Sequence, residues 1–229
     1  MVSSTTREFR YERKFLVERL DARQVRALVA VHPALFYQPY PPRYVNNLYL
    51  DTVEMEYYLA NVSGVGSRRK VRVRWYGDMF RPIDSPNLEF KIKEGLVGTK
   101  RIYPFAPFTL DKGFDQAYFH RTVEQAPLPD LVKQHLKQMQ VVLCNRYYRW
   151  YFASMDNRFR VTVDTEMTYY QVKRRNNRFL HHQVDYNHVV LELKYGQELD
   201  PEAERIAGFF PFSMTKNSKY VTGIERVYI

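Results

Sequence analysis

Five stretches of the chain alternate apolar residues with charged ones, and most of the charges are cationic. In the clearest, Arg68–Tyr76, Val71, Val73 and Trp75 fall in one phase and Lys70, Arg72 and Arg74 in the other. A period of two is the strand signal, because successive side chains point to opposite faces of a sheet. The same pattern sets Arg10, Glu12 and Lys14 against Phe9, Tyr11 and Phe15, and Glu89, Lys91 and Lys93 against Leu88, Phe90 and Ile92. It sets Arg158, Arg160, Thr162 and Asp164 against Phe159, Val161 and Val163, and Glu192 and Lys194 against leucines.

One such strand is an ordinary amphipathic strand with a solvated face. Five of them, with like charges two residues apart, repel unless an anion sits among them. Closing the polar faces inward would build a cationic tunnel, and the outward apolar faces would then need helices to cover them. The rest of the chain supplies those pieces. Asp21 caps a helix over about 22–32, and a strand over 46–51 leads to a short helix over 53–60. Gln38–Pro42 reads as a loop, and the glycines at 95 and 98 turn 88–93 into 99–103 as a hairpin. Helical spacing recurs near 113–124 and 128–139. Strands follow at 141–152, 158–168, 169–174, 179–185 and 188–195, then a helix over 201–209; 213–218 reads as loop, and 219–228 carries no assignment. The expected fold is α+β: a closed antiparallel β-barrel of about eight strands with helices packed outside, in a single domain over 1–229.

Composition narrows the partners. Hydrophobic residues make up 45% of the 229, enough for a sizeable core, and nineteen Tyr and fifteen Phe suit a β-rich fold. The net charge of +10 favours a polyanionic partner. Cys144 is the only cysteine, which excludes an intrachain disulfide and a thiolate metal site; its apolar phase predicts a buried structural thiol. No run of about 18 apolar residues and no leader-like segment stands in the sequence, so a cytoplasmic location is expected.

The chain shows no glycine-rich phosphate loop and no nucleophile elbow, and the histidines at 181, 182 and 188 read as a solvated hairpin. What remains is cations with carboxylates between them. Arginine offers forked, permanently charged donors to phosphate oxygens, and lysine offers point charges. Carboxylates among them can pair with these cations or hold Mg²⁺ or Mn²⁺, which share coordination with substrate phosphates. A site of this kind transfers phosphoryl groups by positioning and charge stabilisation.

Seven short motifs, in order, resemble the vacuolar transporter chaperone (VTC) domain of the triphosphate tunnel metalloenzyme superfamily: Tyr11-Glu12-Arg13-Lys14-Phe15, Leu48-Tyr49-Leu50-Asp51-Thr52, Lys70-Val71-Arg72-Val73-Arg74, Leu88-Glu89-Phe90-Lys91, Tyr147-Tyr148-Arg149, Leu191-Glu192-Leu193-Lys194 and Ser218-Lys219-Tyr220. The resemblance runs from about residue 8 to the end. It implies an antiparallel β-tunnel and a polyphosphate polymerase that moves the γ-phosphate of ATP onto inorganic polyphosphate with Mn²⁺ or Mg²⁺. It further implies that Lys14, Arg72, Arg74, Lys91, Arg101, Arg149, Arg160 and Lys219 hold phosphates, that Glu192 is the main metal ligand and that Glu12 is a second. Six of these, Lys14, Arg72, Arg74, Lys91, Arg149 and Lys219, are expected to be catalytic. Arg101 and Arg160, with Arg10, Lys70, Lys93, Arg158 and Lys194, are expected to bind the chain. Arg149 is preferred to Arg146 because it shares phase with Tyr147 and Tyr151.

Triphosphatases of this superfamily open with Glu-x-Glu-x-Lys, whereas this chain has Arg10-x-Glu12-x-Lys14. The exchange removes a carboxylate and adds a cation, which favours a long polyanion. The alternatives are a tripolyphosphatase or nucleoside triphosphatase of the same fold, and a non-catalytic module that binds polyphosphate or nucleic acid. ATP and polyphosphate are the expected partners and nucleic acid is not; a membrane-protein partner would leave no mark in the sequence. Arg74→Ala is expected to abolish phosphate binding or turnover and, because it relieves cationic crowding, to leave folding intact.

Overall fold

A computed structural model describes residues 10–94 and 97–229. Among these residues nine strands form one antiparallel sheet: β1 (Arg10–Val17), β2 (Tyr37–Asp51), β3 (Ser67–Tyr76), β4 (Asn87–Glu94), β5 (Val97–Pro104), β6 (Gln140–Ala153), β7 (Arg160–Gln171), β8 (His182–Asp185) and β9 (Val189–Gly196). Six α-helices accompany them: α1 (Ala22–Ala30), α2 (Glu56–Val62), α3 (Gln116–Gln125), α4 (Asp130–Lys137), α5 (Asp200–Gly208) and α6 (Lys219–Tyr228). The strand order is β1-β9-β7-β6-β2-β3-β4-β5, with β8 added to β7.

The sheet curls until its first and fourth strands meet, and Lys91 Nζ on β4 lies 2.9 Å from Glu12 Oε1 on β1. No backbone ladder joins β1 to β5 among the described residues, so the expected closed barrel is instead an open sheet rolled on itself, its seam bridged by side chains. Alternation then does what it predicts. Lys70, Arg72 and Arg74 share the inner face, while Val71, Val73 and Trp75 join an outer core with Phe119 and Val123 of α3 and Leu136 of α4. A second outer core sets Phe15, Val161, Leu191 and Leu193 under Val25 and Val29 of α1 and Ala203 and Ala207 of α5. Each such valine, leucine or phenylalanine stabilises by about 1.5–3 kcal/mol when fully buried.

Three segments depart from the expected elements. Gln38–Pro42 lies within β2, not in a loop; β3 pairs β2 only from Val45 to Leu50, so the prolines sit where the strand has one neighbour and need no second ladder. Residues 160–171 form one bulged strand in place of two, with Glu166 at φ 52° beside the register shift. Residues 219–228 form α6, which packs inside the roll while the other helices cover its outside. Tyr220, Ile224 and Val227 meet the inward Tyr49, Leu143, Met167 and Tyr169 and fill one end. The fit is close: a Cβ on Gly223 would lie 2.7 Å from the Tyr169 ring and clash with Leu143. Cys144 is buried in the first outer core as expected, and burial pushes its thiol up.

Candidate phosphate-binding site

The inner lining between α6 and the open end is where the charged phases converge. On one wall the strand register puts Arg72 opposite Glu89 and Lys70 opposite Lys91. Glu89 is only 4% exposed; it accepts from Arg72 Nε at 2.7 Å and from Lys100 Nζ at 2.6 Å. Burial opposes ionisation of Glu89, but Arg72, Arg74 and Lys100 together hold its carboxyl far below the usual range. Arg74 donates through Nε to Asn47 Oδ1 at 2.8 Å and through a terminal nitrogen to the Tyr147 hydroxyl at 3.1 Å.

On the other wall Asp164 is fully buried and accepts two bonds from Arg149, at 2.5 and 2.6 Å. Lys219, the first residue of α6, completes this group with Nζ 2.6 Å from Asp164. Glu192 stands beside them under a looser set of charges: Lys194 at 2.9 Å, Lys14 at 3.6 Å, and Lys219 and Arg149 at 3.7 Å. Burial raises the Glu192 pKa, yet Lys194, Lys14, Lys219 and Arg149 carry it well below the ordinary value.

Lys70 has no carboxylate within ion-pair range among the described residues. Its Nζ donates to Ser218 Oγ at 2.8 Å, the same oxygen that caps α6. Burial, with Lys14, Lys91 and Arg72 nearby, pushes its pKa well down. Lys91 is also pushed down, by burial that outweighs its pairing with Glu12. Lys70 and Lys91, depressed by burial and by neighbouring cations, are groups that an anion would stabilise.

Glu192 and Glu12 are the carboxylates fit for a divalent cation. Among the described residues no three His, Cys, Asp or Glu side chains converge to form a metal site alone. Mg²⁺ is commonly held by one or two carboxylates with water and substrate phosphates, and these two residues on paired neighbouring strands fit that mode. Four cations around Glu192 would oppose a bare dication, so a cation there would need an accompanying anion.

The roll brings together Lys14, Lys70, Arg72, Arg74, Lys91, Arg149, Lys194, Lys219, Glu12 and Glu192. Lys93 pairs with Arg68 toward the filled end, and Arg160 pairs with Lys194 toward the open one, both in the inward phase. Arg10 pairs with Gly196 at the start of β1, and its side chain lies outside the described residues. Two expected ligands lie elsewhere. Arg101 stands opposite Phe90 on the outer face; the hairpin register puts Lys100 opposite Lys91, so Lys100 takes the inward place. Arg158 precedes β7 in a turn held by Asp156, and its guanidinium bonds Glu202 of α5 at 2.8 Å on the exterior. Arg146 lies outside as its phase predicts, 3.5 Å over the Tyr44 ring.

Sequence reasoning gave no role to Glu89, Asp164, Asn47 or Tyr147, which anchor the arginines, nor to Arg43 at the open end. Inward phase marks Glu89 and Asp164 once their strands are read. Lys100 needed the hairpin register, and Arg43 was hidden by the prolines that made its strand look like a loop.

The chain matches the family model for the VTC domain over residues 9–228. No curated protein matches it in sequence. Solved structures of the same fold include an adenylate cyclase candidate from Vibrio parahaemolyticus, with TM-score 0.55 and 12% identity over 94% of this chain and 98% of that one. An adenylate cyclase candidate from Bacillus halodurans gives 0.52 and 13% over 97% and 98%. An adenylyl cyclase candidate from Hippeastrum with a dominant triphosphatase activity gives 0.53 and 11% over 97% of each chain. At these identities the likeness is one of fold.

Proposed function

The chain belongs to the VTC domain family, and from that premise we propose that it is a polyphosphate polymerase that moves the γ-phosphate of ATP onto an inorganic polyphosphate chain. One observation carries the reading: among the described residues, the bonded network of the lining joins nine cations, Lys14, Lys70, Arg72, Arg74, Lys91, Lys100, Arg149, Lys194 and Lys219, to only four carboxylates, Glu12, Glu89, Asp164 and Glu192. The surplus suits a polyanion that enters along the axis.

The attacking group is a terminal phosphate oxygen of the acceptor, already ionised, so no protein base is required. It bonds to the γ-phosphorus as the bond to the β–γ bridging oxygen breaks, and ADP leaves with that oxygen. Arg72, Arg74 and Arg149, fixed by Glu89, Asn47 and Asp164, orient phosphate oxygens with little reorganisation. Lys14, Lys70 and Lys91 supply charge where the transferred group gathers it. A divalent cation held by Glu192 and Glu12 would neutralise phosphate charge.

Incubation of the purified protein with ATP and Mn²⁺ or Mg²⁺ tests the reading: long polyphosphate and ADP are expected, and the absence of both overturns it. A second reading, hydrolysis of triphosphate, is favoured by α6, whose Tyr220, Ile224 and Val227 pack into one end of the roll and shorten the path open to a long chain. Orthophosphate released from tripolyphosphate without chain growth would select it. No helix among the described residues is long and apolar enough to cross a membrane.

A further inference from the structure

At the open end of the roll the lining changes character. Tyr76 and Tyr151 stand two residues beyond Arg74 and Arg149 on the same inward faces of β3 and β6. Arg43 reaches between them from β2. Its guanidinium lies 3.9 Å from the Tyr76 ring centroid and 5.2 Å from that of Tyr151, and its Nε donates to the Tyr151 hydroxyl at 3.2 Å. Tyr40 meets Tyr151 edge-on, with centroids 6.3 Å apart. Among the described residues no carboxylate pairs with Arg43. Tyr40 is 63% exposed and Tyr76 44%, although both are large aromatic side chains.

We propose that this collar of Arg43, Tyr76, Tyr151 and Tyr40 is a stacking site for the base of a nucleoside triphosphate whose phosphates lie on the cations below. The proposal rests on the phosphate-binding reading of the lining and adds a preference to it: a nucleotide over inorganic tripolyphosphate as donor. Successive inward residues on an antiparallel strand are about 6.8 Å apart, so the collar begins one step above the deep arginines. A triphosphate held at Arg74 and Arg149 therefore presents its nucleoside at this height. Exposed tyrosine rings and a guanidinium plane offer π-faces to any base with little hydrogen-bond discrimination, so the site favours nucleotides as a class.

Calorimetric titration of the protein and its variants with ATP and with tripolyphosphate, in one buffer, tests the inference. Wild type is expected to bind ATP more tightly. Tyr76→Ala and Arg43→Ala should each weaken ATP about tenfold and change tripolyphosphate by less than about twofold, while Tyr76→Phe keeps the ATP affinity. Retained tripolyphosphate binding also shows that the variants fold. Equal wild-type affinity for the two ligands, or variant losses of the same size for both, overturns the base site and leaves the phosphate lining standing. Failure of wild type to bind either anion overturns both readings.

Discussion

Asp164 and Glu12 face the same interior and meet the same kinds of partner, yet they are held in opposite ways. Asp164 is fully buried and accepts from Arg149 at 2.5 and 2.6 Å and from Lys219 at 2.6 Å. Glu12 takes both its close contacts from one lysine, Lys91, at 2.9 Å across the seam, and its side chain keeps 26% of its exposure. The first arrangement is closed: the carboxylate is saturated, and it holds Arg149 in place and ties α6 to the sheet. The second is open to exchange, because Lys91 and Lys14 can turn to an incoming phosphate and Glu12 to a cation. Glu89 repeats the closed pattern, and Glu192, with three of its four cations beyond 3.5 Å, repeats the open one. Identical carboxylates thus divide into anchors of the cations and exchangeable ligands by the number and closeness of their bonds.

The sharpest way to break that division is Asp164→Ala. It strands Arg149 and Lys219 in a buried site, and removing one partner of a buried ion pair costs about 3–5 kcal/mol. Glu12→Gln at the seam should cost under about 1 kcal/mol, as partly exposed pairs do. Urea denaturation of the two variants checks the contrast, and equal losses would show that the seam is as structural as the centre.

Arg74→Ala comes next and corrects the expectation drawn from strand phase. Crowding alone predicted an unharmed fold. Arg74 is 8% exposed and bonded to Asn47 and Tyr147, so its removal leaves buried polar groups unpaired, at about 1–3 kcal/mol. A melting temperature unchanged from wild type would restore the simpler view.

These three substitutions also mark where the sequence was legible. Period-two alternation gave the inward faces of Lys14, Arg72, Arg74, Lys91 and Glu192, because a pleated strand has two sides and only one could be apolar. It separated Arg149 from Arg146 for the same reason. It did not give the pairing between strands. Arg101 and Lys100 differ by one residue and lie on opposite faces, and only the register between β4 and β5 decides which points in. Arg158 lies in phase with Arg160 but precedes the first ladder pair of β7, so phase had no strand on which to act. Ser218-Lys219-Tyr220 was visible as a motif, whereas the helix it begins was not, because α6 buries its apolar face inside a charged roll where the pattern gave no cause to expect one.

Lys70→Gln tests the open side of the division. Lys70 is crowded by Lys14, Lys91 and Arg72 and, among the described residues, bonds only Ser218, so its neutral replacement should leave stability unchanged or slightly raised. Affinity for polyphosphate should fall about tenfold, and the salt dependence of binding should flatten with one fewer ionic contact. A large loss of stability with unchanged affinity would move Lys70 into the scaffold.

The smallest effect is a proton. Lys70 and Lys91 have folded pKa values below the lysine model value of 10.5, held down by burial and by like charge. Between their lowered values and 10.5 the free protein carries fewer protons on these groups than the unfolded chain, so their contribution to stability grows as pH rises through that window. A bound polyanion reverses the cause and raises both values, so binding must take up protons there. Titration of polyphosphate into the protein at pH 9, in two buffers of different ionisation enthalpy, should show uptake that shrinks in Lys70→Gln. Asp164 and Arg149 cannot contribute to that signal, since both stay ionised throughout. Observed heats independent of the buffer would mean that the open lysines do not meet the phosphate, and the distinction between the two kinds of carboxylate cluster would lose its functional content.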